Sequence, residues 1–317
     1  MKQNFEKVYE DICKNCPKNV VNSTNIIHAK KQKFNKIAII VLSIIIAILF
    51  GIFLYLRKNG LLNELVYSSI AQLVISLLIG FVIISAVING VVFSKDNGYL
   101  LANYIKYVAT PLTKSVFPDG KYLPNAGISA NTYNARLYND DYDRFYSSNL
   151  ISDDKSHIVF SIVHTEIESK DSDGNSTYST NFFGLAGKKT LDKNIKTTFS
   201  VLTNGSAFLS SDRVKLDSKN FEKYFDIDAD DKVMAMRFLT SDVMEKILDL
   251  KTNFNYDFEF GIINDTLYFR ISLNDNIFSN YEKDFLNKDN MYYSYAILDE
   301  VEYLSNFVDK ITDDLEI

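Results

Sequence analysis

The sequence predicts an α+β protein: a transmembrane helical hairpin, then a cytosolic domain with a mainly antiparallel, curved sheet and a long C-terminal amphipathic helix. Three observations lead there. Two long uncharged apolar runs lie within the first 93 residues. Seven short stretches between Ile158 and Leu273 have strand character, several alternating apolar with polar residues. The last long stretch repeats Met291, Tyr295, Leu298, Val301, Leu304, Val308 and Ile311 at spacings of three and four, the signature of a helix with one apolar face. Local hairpins without a glycine-rich phosphate turn favour α+β over a parallel doubly wound sheet, and a pleckstrin-homology-type barrel is one form the curvature can take.

In chain order, residues 1–36 form a cytosolic segment whose Phe5, Val8, Tyr9 and Ile12 mark a short amphipathic helix ending near Pro17. That helix is expected to lie on the membrane or to pack on the domain. Residues 37–94 form the hairpin. Ile37 to Leu56 is 20 residues without a charge, enough at 1.5 Å per residue to cross a hydrocarbon core of about 30 Å. Leu65 to Phe93 is a second uncharged run of 29 residues, of which roughly 20 to 23 would span. Uncharged runs of this length exceed the ordinary buried helix of a soluble protein, and the late start of the first run argues against a cleaved signal peptide.

The linking segment, Arg57 to Glu64, is too short for anything but a tight turn, so both chain ends share a side. Lys30, Lys31, Lys33, Lys36, Lys95 and Lys106 flank the outer ends of the hairpin, against Arg57 and Lys58 in the loop. By the positive-inside rule both termini are cytoplasmic, in a multi-pass protein of the cell (inner) membrane. Neither run contains an Asp, Glu, Lys or Arg, which favours an anchor over an ion or proton pathway.

Charge divides the chain. Residues 1–98 carry 11 Lys and Arg against 5 Asp and Glu, whereas residues 99–317 carry 23 against 35. The acidic larger part would repel phosphate backbones, so no nucleic-acid partner is expected. Cys13 and Cys16 form a lone CKNC without the second ligand pair a zinc site needs, and the βαβ context of a redox motif is absent. No metal or cofactor is predicted.

Residues 95–127 read as a juxtamembrane helix and a linker: Tyr99 to Phe117 continues as helix, and Pro118 to Gly127 holds two Pro and two Gly. The domain at 128–317 then offers strands at Ile158–Ile167, Tyr178–Ala186, Lys196–Leu202, Val214–Leu216, Lys232–Leu239, Asp257–Ile263 and Thr266–Leu273. Lys170 to Ser176 and Ile263 to Thr266 read as hairpin turns, the first through its Asp-Gly pair. Ser218 and Thr240 or Ser241 cap two helices, the second with Val243, Ile247, Leu248 and Leu250 as its stripe, and the final helix runs from about Asn290 to Thr312. Asp226, Asp228 and Asp230 alternate as in a calcium loop, but the glycine and closing Glu of that loop are missing.

Candidate site residues are few. His164 and Glu166, two apart on a strand, share one face, and Tyr142, Asp143 and Arg144 lie in the YDRFY segment just upstream. These five are candidate binding residues. No catalytic residue is assigned, because no nucleophile elbow, metal pair or P-loop accompanies them.

The stretch NAGISANTYNARLYNDDYDRFYSSNLI, followed by HIVFSIVHTEIE and later by NFEKYFDIDADDKVMAMRFLTSDVMEKILDL and DFEFGIINDTLYFRI, resembles the bacterial family known as domain of unknown function 3137 (DUF3137). The order of parts over residues 1 to 312 is similar as well. The resemblance implies a bacterial membrane protein without assigned activity, with a LemA-type membrane protein as one possible partner, and it carries over no catalytic residue. The expectation is a membrane-anchored cytosolic module that recruits a protein or peptide partner to the inner face of the bilayer. The alternatives are an enzyme acting on a membrane-proximal substrate through the His164 face, and a lipid-sensing module, which the acidic charge of the domain weakens.

Overall fold

The computed structural model describes residues 2–314 except 60–71, 73–74, 77–78, 84–86, 88–90, 92, 135–140, 194, 196–197, 205–211, 255 and 279–284. It is α+β, with a long apolar N-terminal helix, a nine-stranded antiparallel sheet and a C-terminal helix. The chain divides into two units, one of residues 1–13, 105–280 and 287–317, the other of residues 14–104 and 281–286.

Helix α1 (Lys2–Asn15) ends just before Pro17, as its amphipathic spacing predicts. Its residues up to Cys13 belong to the unit that contains the sheet, and there Phe5, only 1% exposed, packs edge-on against Tyr292 and beside Tyr295. Helix α2 (Lys18–Lys58) contains the first apolar run whole. It is long and apolar enough to cross a membrane, and its most apolar stretch is exposed, with Ile39 at 64% and Phe50 at 60% exposure. A soluble core helix would hide such side chains. Most of the second apolar run lies outside the described residues, and so does the greater part of the predicted loop. Helix α3 (Ser94–Tyr104) follows, and beside it in the same unit lie residues 30–34 of α2: the Phe34 and Phe93 rings meet at 5.6 Å and Lys30 pairs with Asp96 at 3.2 Å.

A π-helical turn at Ile105–Ala109 leads into α4 (Thr110–Val116), whose first turn contains Pro111. Then come β1 (Gly120–Leu123), α5 (Ala130–Tyr133), β2 (Arg144–Asp153), β3 (Ile158–Lys170), β4 (Ser176–Thr190), β5 (Thr198–Thr203) and β6 (Arg213–Val214). Helix α6 (Lys219–Glu222), β7 (Phe225–Ala229), α7 (Lys232–Phe238), α8 (Ser241–Phe254), β8 (Phe258–Ile263), β9 (Thr266–Ser272) and α9 (Lys288–Asp314) complete the chain.

The strand order is β1-β2-β3-β4-β9-β8-β5-β7-β6, with every pair antiparallel. The sheet is open, bounded by two short edge strands of four and two residues. Such brevity limits edge-to-edge aggregation. Both predicted hairpin turns are present. Gly174 takes a φ of 82° between β3 and β4, and Asn264 takes 57° between β8 and β9, a left-handed backbone that Gly and Asn tolerate best.

One predicted strand is a helix. Lys232–Leu239 reads as alternating, yet Asp231 caps its start by accepting from the Val233 and Met234 amides, both at 3.0 Å, and Ala235 and Phe238 face inward at helical spacing. Local capping outweighs a short period-two pattern. Conversely, β1 lies inside the stretch read as linker, and β2 and β7 lack a sequence signal strong enough to have been read.

Cross-strand partners project to the same side of a sheet, which defines its two faces. Ile158, Phe160 and Ile162 of β3 share a face with Lys189, Gly187 and Leu185 of β4. This face is covered by helices at its near end: Phe117, just after α4, packs on Phe160, and Lys189 donates to Ser305 of α9. The opposite face, with Val163 and Thr165 fully buried, is covered by residues 127–133, whose Ile128 amide donates to Ser161 Oγ and whose Tyr133 packs on Phe182. A side chain at Gly127 would meet Ser147 Oγ at 2.3 Å, so this crossing requires glycine.

Candidate functional site

Along the first of these faces the helical cover ends, and the β2–β3–β4 surface continues uncovered. There Tyr146 pairs with His164 and Arg144 with Glu166 across β2 and β3, while His164 pairs with Phe183 and Glu166 with Thr180 across β3 and β4. A bulge between Thr165 and Glu166 in the β3–β4 register takes up one extra residue, so Phe183 and Thr180 come to the same face on either side of it. The result is a contiguous exposed patch of rings and charges.

The Tyr146 ring stacks on the His164 imidazole at 5.7 Å and Phe183 meets it edge-on at 5.9 Å. His164 Nε2 lies 3.1 Å from Thr180 Oγ1 and 3.9 Å from Glu166 Oε1. The first contact is a hydrogen bond and the second, at that distance, is a Coulombic pairing only. The Arg144 guanidinium lies over the Tyr178 ring at 3.3 Å from its centroid, a cation–π stack, and its Nη1 is 3.7 Å from Glu166 Oε2. Desolvation acts to lower the Arg144 pKa, but the phenol groups of Tyr178 and Tyr146 outweigh it and hold the guanidinium above its ordinary value. The Glu168 carboxyl is held below the usual range, first by a hydrogen bond from Ser176, with Tyr178, Lys170 and Arg144 adding to it. The patch therefore carries fixed charge of both signs among rings that remain open, Tyr146 at 48% and Tyr178 at 39% exposure.

Beyond this patch the strands continue as a two-stranded ribbon. Ile167–Lys170 of β3 and Ser176–Ser179 of β4 pair with one another, while the β2 ladder ends at Glu166 and the β9 ladder at Gly184. On the β2 side, β1 covers only Leu150–Asp153, so among the described residues no strand but β3 pairs with Arg144–Ser148. The patch thus lies at the base of a projecting ribbon and beside a partly open edge.

Of the five residues singled out in the sequence, the structure brings Arg144, His164 and Glu166 together. Asp143 lies at the margin, where its Oδ2 accepts the Glu168 amide at 2.6 Å and its own amide donates to the Glu166 carbonyl at 2.8 Å. It continues the ladder as a structural clasp. Tyr142 goes elsewhere: its ring packs against Tyr133 and Phe145 and its hydroxyl donates to Asn134 Oδ1 at 2.9 Å, on the side of the core cluster that holds Ile128 and Val163. Sequence reasoning missed Tyr146, Tyr178, Thr180 and Phe183. Alternation within RFYSSNLISD, once recognised as a strand, puts Arg144 and Tyr146 on one face; no local signal reveals that Tyr178 stacks on Arg144.

Chemically, the patch offers an imidazole with a hydroxyl partner, a guanidinium held flat by a ring, and two carboxylates. His164 and Glu166 are too far apart for a hydrogen bond, and among the described residues there is no group of three or more His, Cys, Asp or Glu that could hold a metal ion.

Residues 180–312 match the model of a family described as "Protein of unknown function (DUF3137)". That region is similar to the DUF3137 family. The DUF3137 match runs from Thr180 in β4 to Thr312 near the end of α9, and so takes in the NFEKYF and RFLTSDVMEKIL stretches that carry part of the resemblance. Arg144, Tyr146, His164 and Glu166 lie upstream of the matched DUF3137 region. No curated protein and no solved structure matches the chain.

Proposed function

We propose that this chain is a membrane-anchored recruitment module: a helical hairpin fixes the domain at the cytosolic face of the membrane, and the open β2–β3–β4 patch captures a protein or peptide partner. The observation that carries the reading is the patch itself, with exposed Tyr146 and Tyr178 and a ring-stacked Arg144 at the base of a projecting ribbon. Tyr and Arg are the residues that dominate protein interfaces, since rings bury large area at small entropy cost and a preorganised guanidinium binds with direction.

Two contacts support the hairpin. Within one unit, residues 30–34 lie beside 93–97, so the chain leaves and re-enters the same place around its apolar section. Within the other, α1 joins the start of α9 through Phe5 with Tyr292 and through Glu6 with Lys288 at 2.7 Å. Both contacts support a reading in which the segments before and after the apolar section share a side of the membrane and the number of crossings is even. The six flanking lysines favour the cytosolic side.

The second reading, an enzyme using His164, draws on its shared face with Glu166 and its contact to Thr180. The third, lipid sensing, meets a domain with 35 acidic against 23 basic residues beyond residue 98. For recruitment, a photo-reactive residue replacing Tyr178 in the full chain, in native membranes, should give a discrete adduct that Arg144→Glu suppresses. One replacing Tyr303, more exposed on α9, should give none. Equal adducts at both positions, or none at either, contradict recruitment through this patch. The family resemblance makes a LemA-type membrane protein the first partner to look for.

A further inference from the structure

The ribbon made by the ends of β3 and β4 has two edges of different chemistry. On the β3 side, Ile167–Lys170 carries Glu168 and Lys170, charges of the kind that discourage pairing at an edge strand. On the β4 side the β9 ladder stops at Gly184, and among the described residues no strand pairs with the outer side of Ser176–Asn181. These six residues (STYSTN) are all exposed and include neither a charge nor a proline. An exposed edge of this length without a guard is a site for strand pairing.

The backbone of that edge is turned the right way. The Glu166 carbonyl accepts the Asp143 amide and the Glu168 amide donates to Asp143 Oδ2, so both groups face β2. Their β4 neighbours are Thr180 and Tyr178. Backbone groups alternate along an antiparallel ladder, so Thr180, Tyr178 and Ser176 turn their amides and carbonyls away from β3, towards the outer edge. Phe183, the next outward residue beyond the bulge, has the same phase, for its carbonyl accepts the Leu273 amide at 2.9 Å. The Tyr178 ring leans inwards over Arg144 and leaves the edge clear.

The same stretch is its own complement. Laid antiparallel on a second copy, Tyr178 opposes Tyr178, Ser176 opposes Thr180 and Thr177 opposes Ser179. Each pair is aromatic with aromatic or Ser with Thr, the favourable cross-strand combinations, and no like charges meet. Three outward residues on each copy give about six backbone hydrogen bonds.

We propose that this edge joins two copies of the chain by antiparallel pairing of Ser176–Thr180, in register at Tyr178. The two-fold relation makes the interface isologous and closes it at two copies. Five residues a side make a small interface, and confinement of both copies in one membrane raises their local concentration. The inference thus rests on the anchoring half of the proposed function and not on capture of a partner. In this register opposed side chains share a face, so the two Arg144–Tyr178 patches lie on one surface and can engage a partner bivalently.

Cysteine cross-linking of the full chain in native membranes tests the register, in a Cys13→Ser, Cys16→Ser background, with mild oxidation and dimers read at twice the chain mass. Tyr178→Cys should cross-link several-fold more than Tyr303→Cys on α9, which is also exposed. Thr177→Cys alone should not, because its two copies lie about 7–8 Å apart on the diagonal, beyond disulfide reach. Co-expressed with a Ser179→Cys chain, it should give the mixed dimer. Arg144→Glu, which breaks recruitment, should leave the Tyr178→Cys dimer unchanged. The proposal is overturned by equal cross-linking at Tyr178 and Tyr303, by none at Tyr178, by an adduct with a different protein in place of the dimer, or by Thr177→Cys alone cross-linking as well as Tyr178→Cys. Should Tyr178→Cys fail to fold, the mixed pair decides, and its absence overturns the proposal. Fractionation of the same samples separates the two readings: a chain absent from membranes defeats anchoring and pairing together, whereas a membrane-bound chain without dimers defeats pairing alone.

Discussion

Glu300 lies on α9 with 8% exposure and with no hydrogen-bond partner for its Oε2 among the described residues. Desolvation first, and the neighbouring Asp299 charge second, push its pKa up to about 8 from an ordinary 4.5. An acid raised in this way holds its proton in the folded chain while the unfolded chain has released it. Between pH 4.5 and about 8 the folded state therefore binds one proton more, and stability falls as pH rises through that window. At 1.36 kcal/mol per pH unit, the loss from below pH 4.5 up to pH 7 amounts to about 3 kcal/mol. Glu300→Gln removes the titration while keeping the shape. Chemical denaturation of the full chain in detergent, wild type beside variant at several pH values, should show near-equal stability at about pH 4.5. The gap in favour of the variant should widen to about 3 kcal/mol at pH 7, several degrees in Tm. Other carboxylates titrate equally in both chains and cancel. A gap that stays constant with pH would refute the argument that Glu300 is buried as the neutral acid.

The remaining expectations are structural. Arg270 Nε holds Glu259 Oε2 at 2.5 Å, with the two side chains 15% and 6% exposed, while Glu259 Oε1 accepts the Thr203 amide at 2.9 Å. Arg270→Met leaves a buried charge unpaired and should cost about 3–5 kcal/mol in the same denaturation assay, and adding Glu259→Gln should recover much of it. A reporter fused after Ile317 should behave as cytoplasmic and one inserted within residues 59–63 as external. Digestion of the domain by protease added to intact cells would reverse that orientation.

What the sequence disclosed follows from how each element is stabilised. α2 and α9 were readable because their periodicity and length are large, and the β3–β4 turn because Asp-Gly demands the left-handed backbone that Gly174 adopts. Lys232–Leu239 misled because eight residues fit either period, and the deciding contact is the Asp231 cap. β2 escaped because its face is mixed: Tyr146 is 48% exposed beside fully buried Ile151, so neither strict alternation nor a continuous apolar run marks it. The site divided in the same way. His164 and Glu166 share a face by strand geometry alone, and Arg144 joins them once β2 is known. The departure of Tyr142 to the other side and the stacking of Tyr178 on Arg144 depend on the β2–β3–β4 register and on a bulge, neither written in local sequence.

Recruitment and catalysis at the same patch separate in one comparison, made by complementing a deletion strain. His164→Gln keeps a hydrogen-bonding group facing Thr180 but abolishes proton transfer near neutral pH, whereas Tyr146→Ala with Tyr178→Ala strips the exposed rings and leaves His164 in place. Both are surface changes, and thermal melts of the purified full-length variants should stay close to the parent. Recruitment predicts that His164→Gln supports function nearly as well as wild type and that the paired tyrosine variant does not. A well-folded His164→Gln that fails, beside a tyrosine variant that functions, would contradict the account and assign the patch to catalysis.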